Sequence, residues 1–126
     1  MSQYNVAIVG ATGLVGESLT SLLEEREFPS SSLIPIASER SRNRHVRFKG
    51  ENIGIQVLND FDFTGVDFAF FSAGASVSEQ FAPVAAKAGA IVIDNTSQFR
   101  YQENIPLVIP EVNPDALINF SSTNII

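Results

Sequence analysis

Seven residues near the N-terminus have the composition of a loop that binds phosphate groups through its backbone. They are Gly10, Ala11, Thr12, Gly13, Leu14, Val15 and Gly16. The loop follows a short apolar run, Val6–Val9, and opens a segment with helical periodicity, which is the context that a dinucleotide-binding fingerprint requires. A strand–helix turn that uses glycine for purely structural reasons is the alternative. The order of strand, loop and helix favours the binding loop.

Each glycine of this loop has an expected task. Gly10 allows a tight turn out of the strand, Gly13 lets the backbone approach a pyrophosphate, and Gly16 lets the helix pack close to the sheet. The N–H groups of the first helical turn, together with the positive end of the helix dipole, then face the phosphates. The sequence therefore predicts binding of a dinucleotide through backbone donors.

The polar run Ser38, Glu39, Arg40 and Ser41 bears on which dinucleotide is bound. In NAD-binding domains an acidic residue about 20 residues past the glycine loop accepts hydrogen bonds from the ribose 2′-hydroxyl. Glu39 fits that role, but Arg40 with its serine neighbours fits the 2′-phosphate of NADP better, because a guanidinium makes paired, charge-assisted bonds to phosphate. A solvated polar loop is the alternative. We predict NADP as the cofactor.

Small and polar residues follow two further predicted strands. These residues are Ser72, Ala73 and Gly74 after one strand, and Asn95 and Thr96 after the next. Residues at the carboxyl ends of parallel strands lie beside the ligand in folds of this kind. We therefore expect them to line the nicotinamide half of the cofactor site, although either segment alone is equally compatible with an ordinary strand-exit turn.

Three other polar side chains bear on the question of function. Arg100 is the only basic residue after Lys87, and it is a candidate for holding a carboxylate or phosphate of a substrate; a surface or helix-capping arginine is the alternative. His45 lies among three arginines at the start of a predicted hairpin and is interpreted as exposed and neutral. Glu111 is assigned to a loop.

The apolar pattern alternates between short strands and longer helices. The predicted elements are strands at Val6–Val9, Leu33–Ala37, Val66–Phe71 and Ala90–Asp94, helices at Leu14–Arg26 and Val77–Ala88, and a hairpin of His45–Lys49 with Ile53–Leu58. After Thr96 we expect loop, a short strand and a short helix, and at Thr123–Ile126 the start of another strand. Buried strands alternating with helices predict an α/β, Rossmann-like, doubly wound and mainly parallel sheet with helices on both faces.

Composition limits the chemistry that the chain carries. It has 126 residues, no cysteine, one histidine and a net charge of −6, with 44% hydrophobic residues. We expect one domain over residues 1–126, with no catalytic residue and no metal site, because thiol nucleophiles and imidazole clusters are absent. The negative charge disfavours nucleic acid and anionic membranes as partners. Short apolar runs and the lack of a secretory signal predict a cytoplasmic location.

Five motifs together resemble a known family. They are Gly10–Gly16, Ser38–Ser41, Phe71–Gly74, Asp94–Arg100 and Val108–Asn113. In order and spacing they are similar to bacterial aspartate-β-semialdehyde dehydrogenases, over essentially the whole chain. The resemblance implies reduction of aspartyl-β-phosphate with NADPH to aspartate semialdehyde and phosphate, on the route to lysine, threonine and methionine. It also implies that Thr12–Val15 and Arg40–Ser41 bind NADP, that Ser72–Gly74 line the cofactor cleft, and that Arg100 holds the phosphate.

The chain also departs from the family pattern. The family has an Asn-Cys motif soon after a strand like 124–126, a histidine further on, and a second domain that supplies substrate and homodimer contacts. None of these is in the sequence. We therefore expect the chain to be the cofactor half of such an enzyme, without dehydrogenase activity of its own, because thioacyl chemistry needs its nucleophile.

Three alternatives to this assignment are kept. One is the related N-acetyl-glutamyl-phosphate reductase, although the Ser38–Ser41 and Asn95–Arg100 segments favour the aspartate branch. Another is a non-catalytic nucleotide-binding relative, which has no reason to retain Arg100. The last is a stand-alone NADP-binding module, disfavoured by an unpaired strand at the end of the chain.

Overall fold

The computed structural model describes residues 3–126. Its main sheet has five parallel strands in the order β5-β2-β1-β6-β7, and a separate antiparallel hairpin pairs β3 with β4. The strands are β1 (Tyr4–Val9), β2 (Ser30–Ala37), β3 (His45–Phe48), β4 (Glu51–Gly54), β5 (Gln56–Val57), β6 (Phe68–Phe71) and β7 (Ile91–Asp94). The α-helices are α1 (Leu14–Glu25) and α2 (Ala75–Lys87), and short 3-10 helices occur at Glu39–Ser41, Leu58–Asp60 and Pro114–Ser122.

The central strand β1 is buried on both faces. Val6–Val9 are fully inaccessible to solvent, and they pair with β2 on one side and β6 on the other. Val6 and Ile8 belong to the core cluster that contains Leu23 of α1, whereas Ala7 and Val9 belong to the cluster that contains Ala82 and Ala85 of α2. The two helices therefore cover opposite faces, and the predicted Rossmann-like architecture is confirmed.

The chain reverses its direction of travel across the sheet at β1. From β1 it moves outward to β2 and β5, and then returns to the other side of β1 to form β6 and β7. The carboxyl ends of β1 and β6 are therefore adjacent at a topological switch point, where open α/β sheets bind their ligands. Both ends lead directly into residues that the sequence singled out, Gly10 and Ser72.

Two predicted boundaries on the β2 side of the sheet were wrong. β2 begins at Ser30, three residues before the predicted Leu33, and the hydroxyls of Ser31 and Ser32 both donate to Asn5 Oδ1, at 2.7 and 2.8 Å. The predicted strand Ile53–Leu58 is divided: β4 ends at Gly54, and β5 turns into the main sheet beside β2. Ile55, which lies at the break, is buried in the core cluster that contains Leu23 of α1.

The segment after Thr96 is less regular than predicted. No strand forms between residues 97 and 113 of this described region, and a turn at 110–112 leads into the 3-10 helix Pro114–Ser122, as expected for the short helix. The strand predicted at Thr123–Ile126 is reduced to one parallel bridge, in which Ile125 pairs with Val92 at the outer edge of β7. Within residues 3–126 no helix is long and apolar enough to cross a membrane.

The start of α1 lies in direct contact with the end of β1. An ideal Cβ built on Gly16 would lie 2.2 Å from the carbonyl oxygen of Gly10 and 2.8 Å from Ala11 Cα. Both contacts involve backbone, which cannot move aside by changing a rotamer. Gly16 is therefore required for this approach of helix to strand, as its position in the sequence predicts.

We expect Gly16→Ala to lower the free energy of unfolding by about 3 kcal/mol, because the methyl group forces α1 away from β1. Urea denaturation measures the change. The matched control is Gly54→Ala, where nothing lies within 4 Å of the added Cβ; it should stay within about 0.5 kcal/mol of the parent. Equal effects of the two substitutions would contradict the assigned contact.

Candidate functional site

The glycine loop is held in place by its neighbours on both sides. The backbone N–H groups of Gly10 and Ala11 both donate to the carbonyl of Ile36 in β2, at 2.9 and 3.1 Å. Gly10 has φ +93°, and a Cβ there would lie 2.9 Å from the carbonyl carbon of Ser72. A side chain at Gly10 is thus excluded both by conformation and by the chain that leaves β6.

Several backbone donors of the loop are free to bind a ligand. Among the described residues, no protein group accepts a hydrogen bond from the N–H groups of Thr12, Leu14, Val15 or Gly16. Gly13 is the N-cap of α1 and supplies no side-chain cap. These donors, at the positive end of the helix dipole, form an arrangement suited to an anion such as a phosphate.

Gly13 differs from the other two glycines of the loop. It is exposed, it has an ordinary negative φ of −82°, and a Cβ at this position would contact only Gly10 O, at 3.6 Å. The folded protein alone therefore does not require glycine here.

A cleft of about 330 Å³ opens beside the loop at the carboxyl ends of the strands. Its lining brings together three groups of residues that are far apart in the sequence: the glycine loop, the segment after β2, and the exit of β6. The lining residues are Val9, Gly10, Thr12, Ala37, Ser38, Arg40, Leu58, Ala73 and Val77. The volume is within the range of small-molecule sites, about 300–1,000 Å³.

The segment after β2 folds as a 3-10 helix, Glu39–Ser41, that contacts the glycine loop. Ser41 is buried, and its hydroxyl lies 3.4 Å from the hydroxyl of Thr12. Arg40 is exposed and lines the cleft with Ser38. The structure therefore places Ser38, Arg40 and Ser41 beside the loop.

The carboxylate of Glu39 is held by Arg42, a pairing that sequence reasoning missed. Arg42 donates from Nε to Oε1 at 2.7 Å and from Nη2 to Oε2 at 2.5 Å. These hydrogen bonds keep the pKa of Glu39 below its usual value. Arg42 also lies 3.6 Å from Asp60. The signal for this pair in the sequence is the spacing of two opposite charges three residues apart, at which side chains on a helical turn are neighbours.

The exit of β6 is tied to the end of β1. Ser72 donates to the carbonyl of Val9 from both its backbone N–H, at 2.9 Å, and its hydroxyl, at 3.1 Å. Ala73 and Gly74 follow as exposed residues that lead into α2. Asn95, at the exit of β7, is also exposed and donates its backbone N–H to Phe71 O.

Thr96 is part of a hydrogen-bond network that joins β7 to α2. The buried hydroxyl of Ser78 donates to Asp94 Oδ1 at 2.9 Å, and the Thr96 hydroxyl lies 3.0 Å from Asp94 Oδ2 and 3.2 Å from Ser78 Oγ. The N–H of Gln98 donates to Thr96 Oγ1. The network fixes the turn that begins at Asn95, and Ser78 in it was not predicted.

Arg100 lies apart from the cleft. It is exposed, and its N–H donates to Ser97 O at 3.3 Å. With Asp94 and Thr96 it borders a small hollow of about 30 Å³ beyond β7. The structure therefore does not bring Arg100 into the same cleft as Arg40. His45 and Glu111 are exposed.

The chain is similar to known proteins over nearly all its length. Residues 5–120 match the family model of the semialdehyde dehydrogenase NAD-binding domain. Aspartate-semialdehyde dehydrogenase 2 of Vibrio cholerae is 53% identical over 124 residues, which are 98% of this chain but 37% of that protein. Aspartate-semialdehyde dehydrogenase of Shewanella violacea is 52% identical over 127 residues, covering all of this chain and 38% of its own.

Solved structures agree with these relatives. Aspartate-semialdehyde dehydrogenase II of Vibrio cholerae superimposes with a TM-score of 0.96 at 53% identity, covering 99% of this chain and 37% of that one. The present chain thus spans little more than a third of the length of the relatives it matches.

We expect Gly13→Ala to leave the urea unfolding midpoint unchanged and to weaken binding of NADPH by about tenfold or more, because the added methyl group occupies the approach to the free N–H groups. Fluorescence titration of NADPH measures the affinity. Gly54→Ala, which adds the same methyl group in β4, where nothing lies within 4 Å and which does not line the cleft, is the control for nonspecific changes. Unchanged NADPH affinity in Gly13→Ala would show that no phosphate lies against this loop.

Proposed function

The chain belongs to the semialdehyde dehydrogenase family, through its NAD-binding domain, and we propose that it binds NADP(H) for a phosphorylating aspartate-semialdehyde dehydrogenase. One observation carries this proposal: within residues 3–126, four backbone N–H groups without a protein acceptor surround the start of α1, at the switch point of the sheet. A pyrophosphate is the group that such donors accommodate.

The residues around the cleft fit the rest of the cofactor. In this proposal Gly10–Gly16 hold the pyrophosphate, Ser38, Arg40 and Ser41 hold the 2′-phosphate of the adenosine ribose, and Ser72–Gly74 line the path toward the nicotinamide. Asn95 and Thr96 complete that path at the exit of β7. The apolar side chains of Ala37 and Leu58, which line the cleft, support placement of the adenosine there.

Preference for NADP over NAD is supported by the charges of the segment after β2. Arg40 lines the cleft, and no ion pair of its guanidinium occurs within residues 3–126. Glu39, the acceptor expected in an NAD site, is engaged by Arg42 instead. A free guanidinium beside serine hydroxyls favours a ligand with an additional phosphate.

The activity proposed for the whole protein is the interconversion of aspartyl-β-phosphate and aspartate semialdehyde with phosphate. The bound nicotinamide supplies the hydride. The role of this domain is to bind and orient the cofactor, and Arg100 is proposed to hold the phosphate of the substrate from the β7 side. Catalytic groups, most of the substrate site and homodimer contacts are proposed to lie in the rest of the protein, in the cytoplasm.

The aspartate branch is preferred to N-acetyl-glutamyl-phosphate reductase because aspartate-semialdehyde dehydrogenases are the relatives that match at about 50% identity. The whole protein of the source gene tests the choice. With NADP⁺ and phosphate it should oxidise aspartate semialdehyde far faster than N-acetyl-glutamate semialdehyde, and residues 1–126 alone should oxidise neither. The opposite substrate preference would refute the assignment.

We expect Arg40→Ala to weaken NADPH binding by at least about tenfold, since it removes charge-assisted bonds to the 2′-phosphate. NADH, which lacks that phosphate, should lose less than about twofold. Isothermal titration calorimetry of both nucleotides gives the two constants. Arg26→Ala, at the opposite end of α1, controls for the loss of one positive charge; equal losses for NADPH and NADH in Arg40→Ala would contradict the role of Arg40.

A further inference from the structure

The ion pair between Glu39 and Arg42 lies at the position that decides between NADP and NAD. Glu39 comes after β2 and Ser38. In NAD-binding domains an acidic side chain in this region accepts a hydrogen bond from the ribose 2′-hydroxyl. Arg40, the next residue, lines the cleft. The chain thus carries the acidic group of an NAD site and the basic group of an NADP site side by side.

A free carboxylate at this position has two effects on nucleotide choice. It accepts hydrogen bonds from the 2′-hydroxyl of NAD, and it repels the doubly charged 2′-phosphate of NADP. With Glu39 free, the positive charge of Arg40 is offset by its neighbour. The segment then has no clear preference for NADP.

Arg42 removes both effects in the structure. Its guanidinium binds both oxygens of Glu39, at 2.7 and 2.5 Å, so the carboxylate is directed to Arg42 and its charge is neutralised. Contact with Asp60 at 3.6 Å places Arg42 between the segment after β2 and the 3-10 helix Leu58–Asp60. Leu58 of that helix lines the cleft, so Arg42 links two of its borders.

We propose that Arg42 is a specificity-determining residue, which confers preference for NADP by sequestering the carboxylate of Glu39 rather than by contacting the nucleotide. This inference rests on the proposed binding of NADP(H) in the cleft. Arg40 is the residue that binds the 2′-phosphate. By pairing with Glu39, Arg42 prevents the Glu39 carboxylate from offsetting the charge of Arg40 and from repelling the phosphate.

The pair has little structural importance, which makes the proposal testable. The side chains of Arg42 and Glu39 are 51% and 65% exposed, and an ion pair that is this open to water contributes little to folding. Substitutions at both positions should therefore give folded protein. Equal urea unfolding midpoints of the parent and the variants establish that point.

The experiment compares NADPH and NADH binding by the parent chain, Arg42→Gln, Glu39→Gln and the double variant. In Arg42→Gln the freed carboxylate should weaken NADPH binding on the order of fivefold and strengthen NADH binding. The double variant has the same net charge as the parent, because one cation and one anion are lost together. It should return to within about twofold of the parent for NADPH and lose the gain for NADH.

The outcomes separate the possible roles of Arg42. If Arg42 contacts the 2′-phosphate itself, the double variant stays as weak for NADPH as Arg42→Gln, and the proposal is overturned. Lys87→Gln, at the end of α2, measures the effect of removing any one positive charge, and a loss equal to that of Arg42→Gln also overturns it. A parent chain that fails to bind NADPH refutes the proposed function first, and this inference with it.

Discussion

The packing of α1 against the carbonyl of Gly10 is the contact on which the site depends. Because a Cβ at Gly16 would lie 2.2 Å from that oxygen, only glycine permits the helix to start so close to the strand. This approach places the unpaired N–H groups of the first helical turn at the carboxyl end of β1. The hydrogen bonds of Gly10 and Ala11 to Ile36, and of Ser72 to Val9, then join the loop to both neighbouring strands.

An acidic chain binds an anionic cofactor, in this account, through local donors rather than through its net charge. The chain carries −6 overall, yet five of its eight Lys and Arg residues lie between residues 40 and 49. In the proposed complex, backbone N–H groups supply the partial positive charge for the pyrophosphate, and Arg40 supplies the full charge for the 2′-phosphate. Pairing of Glu39 with Arg42 prevents the nearest carboxylate from cancelling that charge.

Sequence reasoning succeeded where local residue types set the structure. The run from Val6 to Gly16 predicted strand, loop and helix because its glycine spacing allows few other conformations. It failed where contacts with distant residues accompany the boundaries: Ser31 and Ser32 at the start of β2 donate to Asn5, and Ile55, just after β4, is buried in the core. The Ser78–Asp94–Thr96 network was missed for the same reason, since α2 and β7 bring together side chains 16 or more residues apart.

The most direct test of the central claim is an amide NMR titration of the 126-residue chain with NADPH. We predict that the largest shifts fall on the amides of Thr12, Leu14, Val15 and Gly16, with a second group at Arg40 and Ser41. Amides at the far end of α1, such as Glu24, should not move. Saturable shifts confined to the hairpin β3–β4 or to residues 114–122, with the loop amides unchanged, would contradict the assignment of this cleft as the cofactor site.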